Sequence, residues 1–260
     1  MRFSGIARLY SQQGLDNFKR ARVAVVGIGG VGSWSVEALA RSGVGSLTLI
    51  DLDEICLSNI NRQLHAMDGQ IGRLKTTAMA ERICMINPEV LVEEKQTFYS
   101  ASNSDEILDA GFDVVIDAID AVRQKCLLIA ECKNRGIPVI TCGAAGGRRD
   151  PSMIETADLA VTCHDALLLQ TRKNLRSKHG FPKAPVGKKV VKFGVIAVFS
   201  RELPVFPQCD GSVASTKPAN SSLRLNCESG YGTASPVTAT FGMIAAAQAL
   251  DILAESSRVP

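Results

Sequence analysis

Residues 23–33 read V-A-V-V-G-I-G-G-V-G-S, a β-branched run that breaks into clustered glycines, and no other stretch limits the fold so tightly. Four apolar residues, Val23 to Val26, suit a short strand buried on both faces. Gly27, Gly29 and Gly32 then take G-x-G-x-x-G spacing, with Gly30 and Ser33 completing the turn. Missing side chains there let the backbone approach a phosphate at a helix N-terminus. Asp51 follows about 20 residues on, where an acid can hydrogen-bond ribose hydroxyls, and Asp53 lies just beyond it. Thus far NAD would fit. Just past the acids, however, comes Ser58-Asn59-Ile60-Asn61-Arg62-Gln63, and a dinucleotide has no terminal phosphate that calls for such a guanidinium.

The rest of the chain extends this unit. Helical spacing predicts helices over 33–42, from near Lys75 to Met85, over 104–110 and over 122–134; apolar runs predict strands at 47–50, 90–94, 113–117 and 138–141. Residues 1–21 read as one or two short helices. Strands alternating with helices imply an α/β, Rossmann-like, mostly parallel sheet with helices on both faces and right-handed crossovers. Ligands sit at the C-terminal strand ends of such sheets, where the strand order reverses. Asp51, Asp53 and Asp120 belong to that edge. Asn59, Arg62 and Lys75 add a polar group and positive charge for phosphate oxygens, and Asp120 can hold Mg²⁺, which takes one or two carboxylates together with phosphate and water. As a set these residues suit ATP better than NAD.

After the glycine-rich 143–147 the character changes, which divides the chain into a nucleotide-binding core with a helical lead-in, 1–147, and a smaller C-terminal part, 148–260, packed on the same domain. A helix is expected over 158–177, a long strand over 190–200, a surface loop over 204–220 and a final apolar helix beginning near Thr238. From Ala166 to Ser200 there is no acidic residue, while Arg172, Lys173, Arg176, Lys178, Lys188 and Lys189 are among the bases. So lopsided a run fits sequence-independent contact with RNA phosphates. Eight cysteines show no C-x-x-C pair, which argues for reduced thiols in the cytoplasm and against a zinc ribbon. The N-terminus lacks the apolar core of a signal peptide. The final apolar run is shorter than a bilayer span and interrupted by Gln248 and Asp251, so a buried or interface helix is expected rather than a membrane anchor. His65 and His164 read as structural.

Taken together, G-I-G-G-V-G-S, D-L-D, S-N-I-N-R-Q, G-R-L-K and D-A-I-D resemble the ubiquitin-activating-enzyme-like adenylating superfamily. I-D-A-I-D-A-V-R at 116–123, A-V-F-S-R-E at 197–202, D-G-S-V at 210–213, and C-E-S-G-Y-G with V-T-A-T-F-G within 227–242 bring the chain nearest to its dehydratases of threonylcarbamoyladenosine in tRNA. The resemblance implies ATP and Mg²⁺ as cofactors, threonylcarbamoylated tRNA as substrate, and a homodimer. It assigns catalysis to Arg62, Lys75 and Asp120, and leaves room for a sulfur-transfer protein as partner and for Cys227 as a nucleophile. Relatives often begin F-S-R, with the arginine reaching the partner subunit's phosphates; Gly5 stands there, and Arg8, one helical turn on, is a candidate substitute. The superfamily also holds adenylyltransferases that activate the C-terminus of a ubiquitin-like sulfur carrier, an alternative weakened by the absence of the paired C-x-x-C motifs.

Overall fold

The computed structural model describes residues 2–183, 190–208, 210–216 and 231–255. Its elements in order are α1 Ser4–Arg20, β1 Arg22–Val26, α2 Gly32–Arg41, β2 Ser46–Ile50, α3 Lys75–Ile86, β3 Leu91–Lys95, α4 Ser104–Leu108, β4 Val114–Asp117, α5 Val122–Asn134, β5 Val139–Cys142, β6 Ile154–Asp158, α6 Ala166–Lys178, β7 Ile196–Ser200, β8 Phe206–Pro207, β9 Val213–Ala214 and α7 Ser235–Glu255.

The main sheet has seven strands in the order β3-β2-β1-β4-β5-β7-β6, all parallel except β6, while β8 and β9 form a small antiparallel hairpin. Strand periodicity sorts the core into two layers. Val23, Val25, Leu47, Leu49, Val114 and Ile116 point to the layer containing α1, α2, α3 and α7; Ala24, Val26, Ile50 and Val115 point to the layer containing α5 and α6. Both faces of β1, β2 and β4 are therefore covered, which is why these strands are mostly apolar, with Thr48 and Asp117 the buried polar exceptions. Helix α1 is two helical pieces joined at Ser11, whose φ of 68° is non-helical.

The chain after Gly147 adds β6 and β7 to this same sheet and α7 to the same core. By length and composition α7 could cross a membrane, yet Val237, Phe241, Ala245, Ala249 and Leu253 are buried in the fold. Gly242 makes the approach to α2 possible, since a Cβ there would lie 2.4 Å from the Val31 carbonyl oxygen.

Three expectations are corrected. The helix expected over 158–177 is a strand end, a 3-10 turn and then α6, which starts only at Ala166 because Asp165 accepts the Leu168 N–H and fixes the N-terminus there. The strand expected over 190–200 is ordered as β7 only from Ile196: Gly194 takes φ 65°, and the N–H groups of Phe193 and Gly194 bind the Asp158 carboxylate instead of a ladder. The expected loop at 204–220 holds the β8–β9 hairpin, turned through Gly211 with φ 81°.

Candidate active site

Strand order reverses between β1 and β4, and a cavity of about 730 Å³ opens along the C-terminal strand ends, within the range of small-molecule sites. Its wall brings together Gly27, Gly29, Gly30, Asp51, Asp53, Asn59, Arg62, Lys75 and Asp120, which the sequence spreads over almost a hundred positions.

The turn is held open from beneath. Gly27 takes φ 90°, and a Cβ there would lie 2.9 Å from the Ala118 carbonyl oxygen, so a side chain would be both strained and crowded. Gly32 and Ser33 are not on the wall. Gly32 permits contact within the turn, where a Cβ would fall 1.8 Å from the Gly27 oxygen, and Ser33 is fully buried with its hydroxyl accepting the Leu64 N–H at 3.3 Å. Asp51 staples the turn to the neighbouring strand end, accepting the Ile28 N–H at 2.7 Å and the Asp53 N–H at 2.8 Å. Each carboxylate oxygen keeps a further lone pair for a ligand hydroxyl. Buried His65 contacts the Ile28 carbonyl through Nε2 at 2.8 Å. Burial lowers its pKa most; Lys75 lowers it further, against the opposing pull of that hydrogen bond and of Asp51.

Positive charge enters from the start of α3 and from the loop before it. Lys75 Nζ donates to Asp53 at 2.7 Å. Arg62 lies over Gly30, its guanidinium donating to the Ser58 carbonyl at 2.7 Å and to Asn61 Oδ1 at 3.0 Å. The Arg62 carbonyl accepts from Trp34 Nε1 at 3.1 Å and from the Thr238 hydroxyl at 3.4 Å, and Asn61 Nδ2 donates to the Thr233 carbonyl at 2.7 Å. The arginine loop is thus fastened both to α2 and to the first turn of α7. Asn59 is buried and caps its own turn by accepting the Cys56 N–H.

Asp120 is exposed at the cavity edge, past the end of β4. No group of three or more metal-ligating side chains occurs among the described residues. A single carboxylate on an open cavity suits Mg²⁺ carried in with phosphate, not an all-protein cage.

Several wall residues were missed in the sequence. Thr97, Phe98 and Tyr99 follow β3, and Gly143 to Gly146, Leu167, Tyr231 and Thr233 close the other end. The 143–147 loop wraps a buried pair: Arg148 donates to the carbonyls of Ala144, Gly146 and His164, and Asp165 Oδ2, 3.7 Å from Arg148, accepts the Ala144 N–H at 2.9 Å. A run of three glycines and two alanines between two strands was the available signal. Cys142 also reaches the wall, but burial pushes its thiol up to about 12, which keeps it protonated and a poor nucleophile.

The basic segment is only partly a surface. Arg172 faces inward with Leu168, Thr171 and Leu175, unlike the exposed Lys173 beside it, and donates to the Thr162 hydroxyl; this corrects its assignment to tRNA contact. Arg176 donates to the Pro182 carbonyl at 3.2 Å and sits 5.1 Å above the Phe193 ring centre. Lys173 and Lys178 are exposed. Lys188, Lys189 and Cys227 lie outside the described residues. Arg8 is exposed on α1 and is not on the cavity wall.

The ThiF family profile matches residues 4–259. The tRNA threonylcarbamoyladenosine dehydratase of Haemophilus influenzae is 49% identical over 252 residues, 97% of this chain and 93% of that protein. The crystal structure of the E. coli tRNA N6-threonylcarbamoyladenosine dehydratase in complex with ATP matches with a TM-score of 0.84 and 44% identity, covering 97% of this chain and 93% of that one. The molybdopterin-synthase adenylyltransferase of Salmonella typhimurium is 35% identical over 143 residues, 54% of this chain and 55% of that protein.

Proposed function

The chain belongs to the ThiF family, and from that premise we propose that it is an ATP-dependent tRNA threonylcarbamoyladenosine dehydratase. The observation that carries this reading is the extent of the likeness: it covers 97% of the chain for the H. influenzae dehydratase and 54% for the adenylyltransferase. The part after Gly147, which walls the far end of the cavity, is therefore of the dehydratase kind.

In this reading the threonyl carboxylate of the modified adenosine attacks the α-phosphorus of ATP, forming an acyl–AMP and releasing pyrophosphate. The carbamoyl group of the same side chain then attacks the activated carbonyl, and AMP leaves with the former carboxylate oxygen. The net change is loss of water. Activation is needed because an oxide is a poor leaving group, and the intramolecular second step gains from high effective molarity. Gly27 to Gly30 let the phosphates approach the backbone, Asp51 takes the ribose, and Arg62, Asn59 and Lys75 face the charge that builds on the triphosphate. Gln63 lines the same wall, with its Oε1 buried and unpartnered among the described residues, so it has an acceptor to offer the ligand. Mg²⁺, held by Asp120, would screen the phosphate charge. The protein would work in the cytoplasm beside its tRNA as a homodimer, with Lys173 and Lys178 on the RNA side and room for a sulfur-transfer partner.

The test is mass spectrometry of nucleosides from threonylcarbamoylated tRNA incubated with protein, ATP and Mg²⁺. The expected product is the modified nucleoside lighter by one water, formed with one pyrophosphate each. Pyrophosphate release driven by a ubiquitin-like carrier and not by tRNA would overturn the reading.

A further inference from the structure

The strand order lays the cavity out as a line. Phe98 stands past β3, Asp51 and Asp53 past β2, the glycine turn past β1, Asp120 past β4 and Gly143 to Gly146 past β5. Four inter-strand steps of about 4.8 Å separate the ends by about 19 Å, which leaves room for a second ligand beyond a nucleotide. The two ends differ in chemistry. Among the described residues, all the charged side chains of the wall lie from β2 to β4, together with Arg62 and Lys75; the β5 end, from Cys142 through Gly146 to Leu167, Tyr231 and Thr233, has none of them. What it offers is one ring on a glycine bed. A Cβ on Gly146 would fall 2.9 Å from Tyr231 Cβ, and one on Gly147, at φ 75°, would fall 3.0 Å from Tyr231 Cδ1. Phe206 packs on the same ring at 5.4 Å between centres, and the Gly147 N–H donates to the Gly232 carbonyl at 2.8 Å.

We propose that Tyr231 determines substrate specificity by stacking its fixed ring on the modified adenine base, displaced from the tRNA anticodon loop into the uncharged end of the cavity. Single-stranded RNA bases are recognised by such stacking, which needs no charge. With the base on Tyr231, its side-chain carboxylate extends along the line toward the nucleotide phosphates. A carrier-protein tail ending in glycine has no ring to place there. The inference rests on the dehydratase reading of the same site.

The test is equilibrium binding of an anticodon stem-loop RNA carrying unmodified adenosine at the position to be modified, compared with the same RNA made abasic there. The wild-type protein binds the first about 5- to 150-fold more tightly, the value of one base–aromatic stack. Tyr231→Leu binds both alike, Tyr231→Phe retains the preference, and ATP affinity is unchanged in each. Equal binding of the two RNAs by the wild type overturns the proposal without recourse to any variant, as does a preference that persists in a folded Tyr231→Leu protein. Binding needs no turnover, so absence of cyclised nucleoside would count against the dehydratase reading alone.

Discussion

Lys75 opens α3 and pairs with Asp53 just past β2; Lys125 lies in the first turn of α5 and pairs with Asp117 at the end of β4, at 2.7 and 2.8 Å respectively. Their surroundings separate them. Both side chains of the Lys125–Asp117 pair are 0% exposed, and Thr141 completes the cluster by accepting from Lys125 at 3.1 Å and donating to Asp117 at 2.7 Å. Asp53, by contrast, is 52% exposed, and Lys75 looks into the cavity. A lysine whose partner is half in water can turn to a phosphate at small cost. One sealed with its partner cannot, and serves to fix the β4 end, where Asp117 also accepts the Ile119 N–H at 3.1 Å just before Asp120.

The largest effect separating the two pairs is on stability. Lys125→Met leaves Asp117 buried without its cation, and removing one member of a buried pair costs about 3–5 kcal/mol. Urea unfolding followed by circular dichroism should show that loss. A cost below about 1 kcal/mol would mean that water reaches Asp117 and would dissolve the contrast. Next comes catalysis: Lys75→Met should unfold close to the parent midpoint, yet lose about 10²- to 10³-fold in tRNA-dependent pyrophosphate release, as for a lost electrostatic contact to developing charge. Retained activity would remove Lys75 from the reaction.

The contrast also marks how far the sequence can be read. Lys75 was legible because G-R-L-K sits at a helix start after a strand that delivers acids. Lys125 was not: inside V-R-Q-K-C-L-L-I it looks like one more polar position of an amphipathic helix, and only the closure of α5 over β4 and β5 buries it. The same limit explains the site. Gly27, Asp51, Arg62 and Asp120 come from turns and strand ends whose local chemistry is visible in order along the chain. Phe98 and Tyr231 become wall residues only through strand order, which places β3 and β5 on opposite sides of β1. The basic run misled for Arg172 because charge composition carries no facing; the 3.6-residue period puts Arg172 on the side of Leu168 and Leu175.

A third effect probes the charge of Lys75 through a neighbour. Burial first, and Lys75 after it, holds His65 below its ordinary 6.5. The folded value lies below the unfolded one, so stability is complete above pH 6.5 and falls away as pH drops through the folded value. The slope is bounded at about 1.4 kcal/mol per pH unit for one proton. Lys75→Met removes one of the lowering influences, and an NMR titration of the His65 ring should move upward; Lys125→Met should leave it in place. Equal movement in both variants would show that the two lysines are not electrically distinct as seen from the glycine turn.

The smallest effect is expected at Asp53, in the carboxylate mirror of the first comparison. Asp117→Asn strands a buried ammonium, with the same penalty of about 3–5 kcal/mol. Asp53→Asn should cost less than that, because Lys75, though its side chain is only 7% exposed, lines the open cavity and the carboxylate removed is half in water. The reason lies in the backbone. The Asp53 carbonyl still accepts the Lys75 N–H at 3.1 Å, the Asp53 N–H still reaches Asp51 Oδ1, and the bridge between Glu54 and Leu74 still ties the loop to the start of α3. None of these uses the Asp53 side chain, so Lys75 keeps its place when its partner is lost. If Asp53→Asn were to cost as much as Asp117→Asn, the ion pair and not the backbone would be what positions Lys75, and the freedom of that lysine to leave Asp53 for a phosphate would be lost with it.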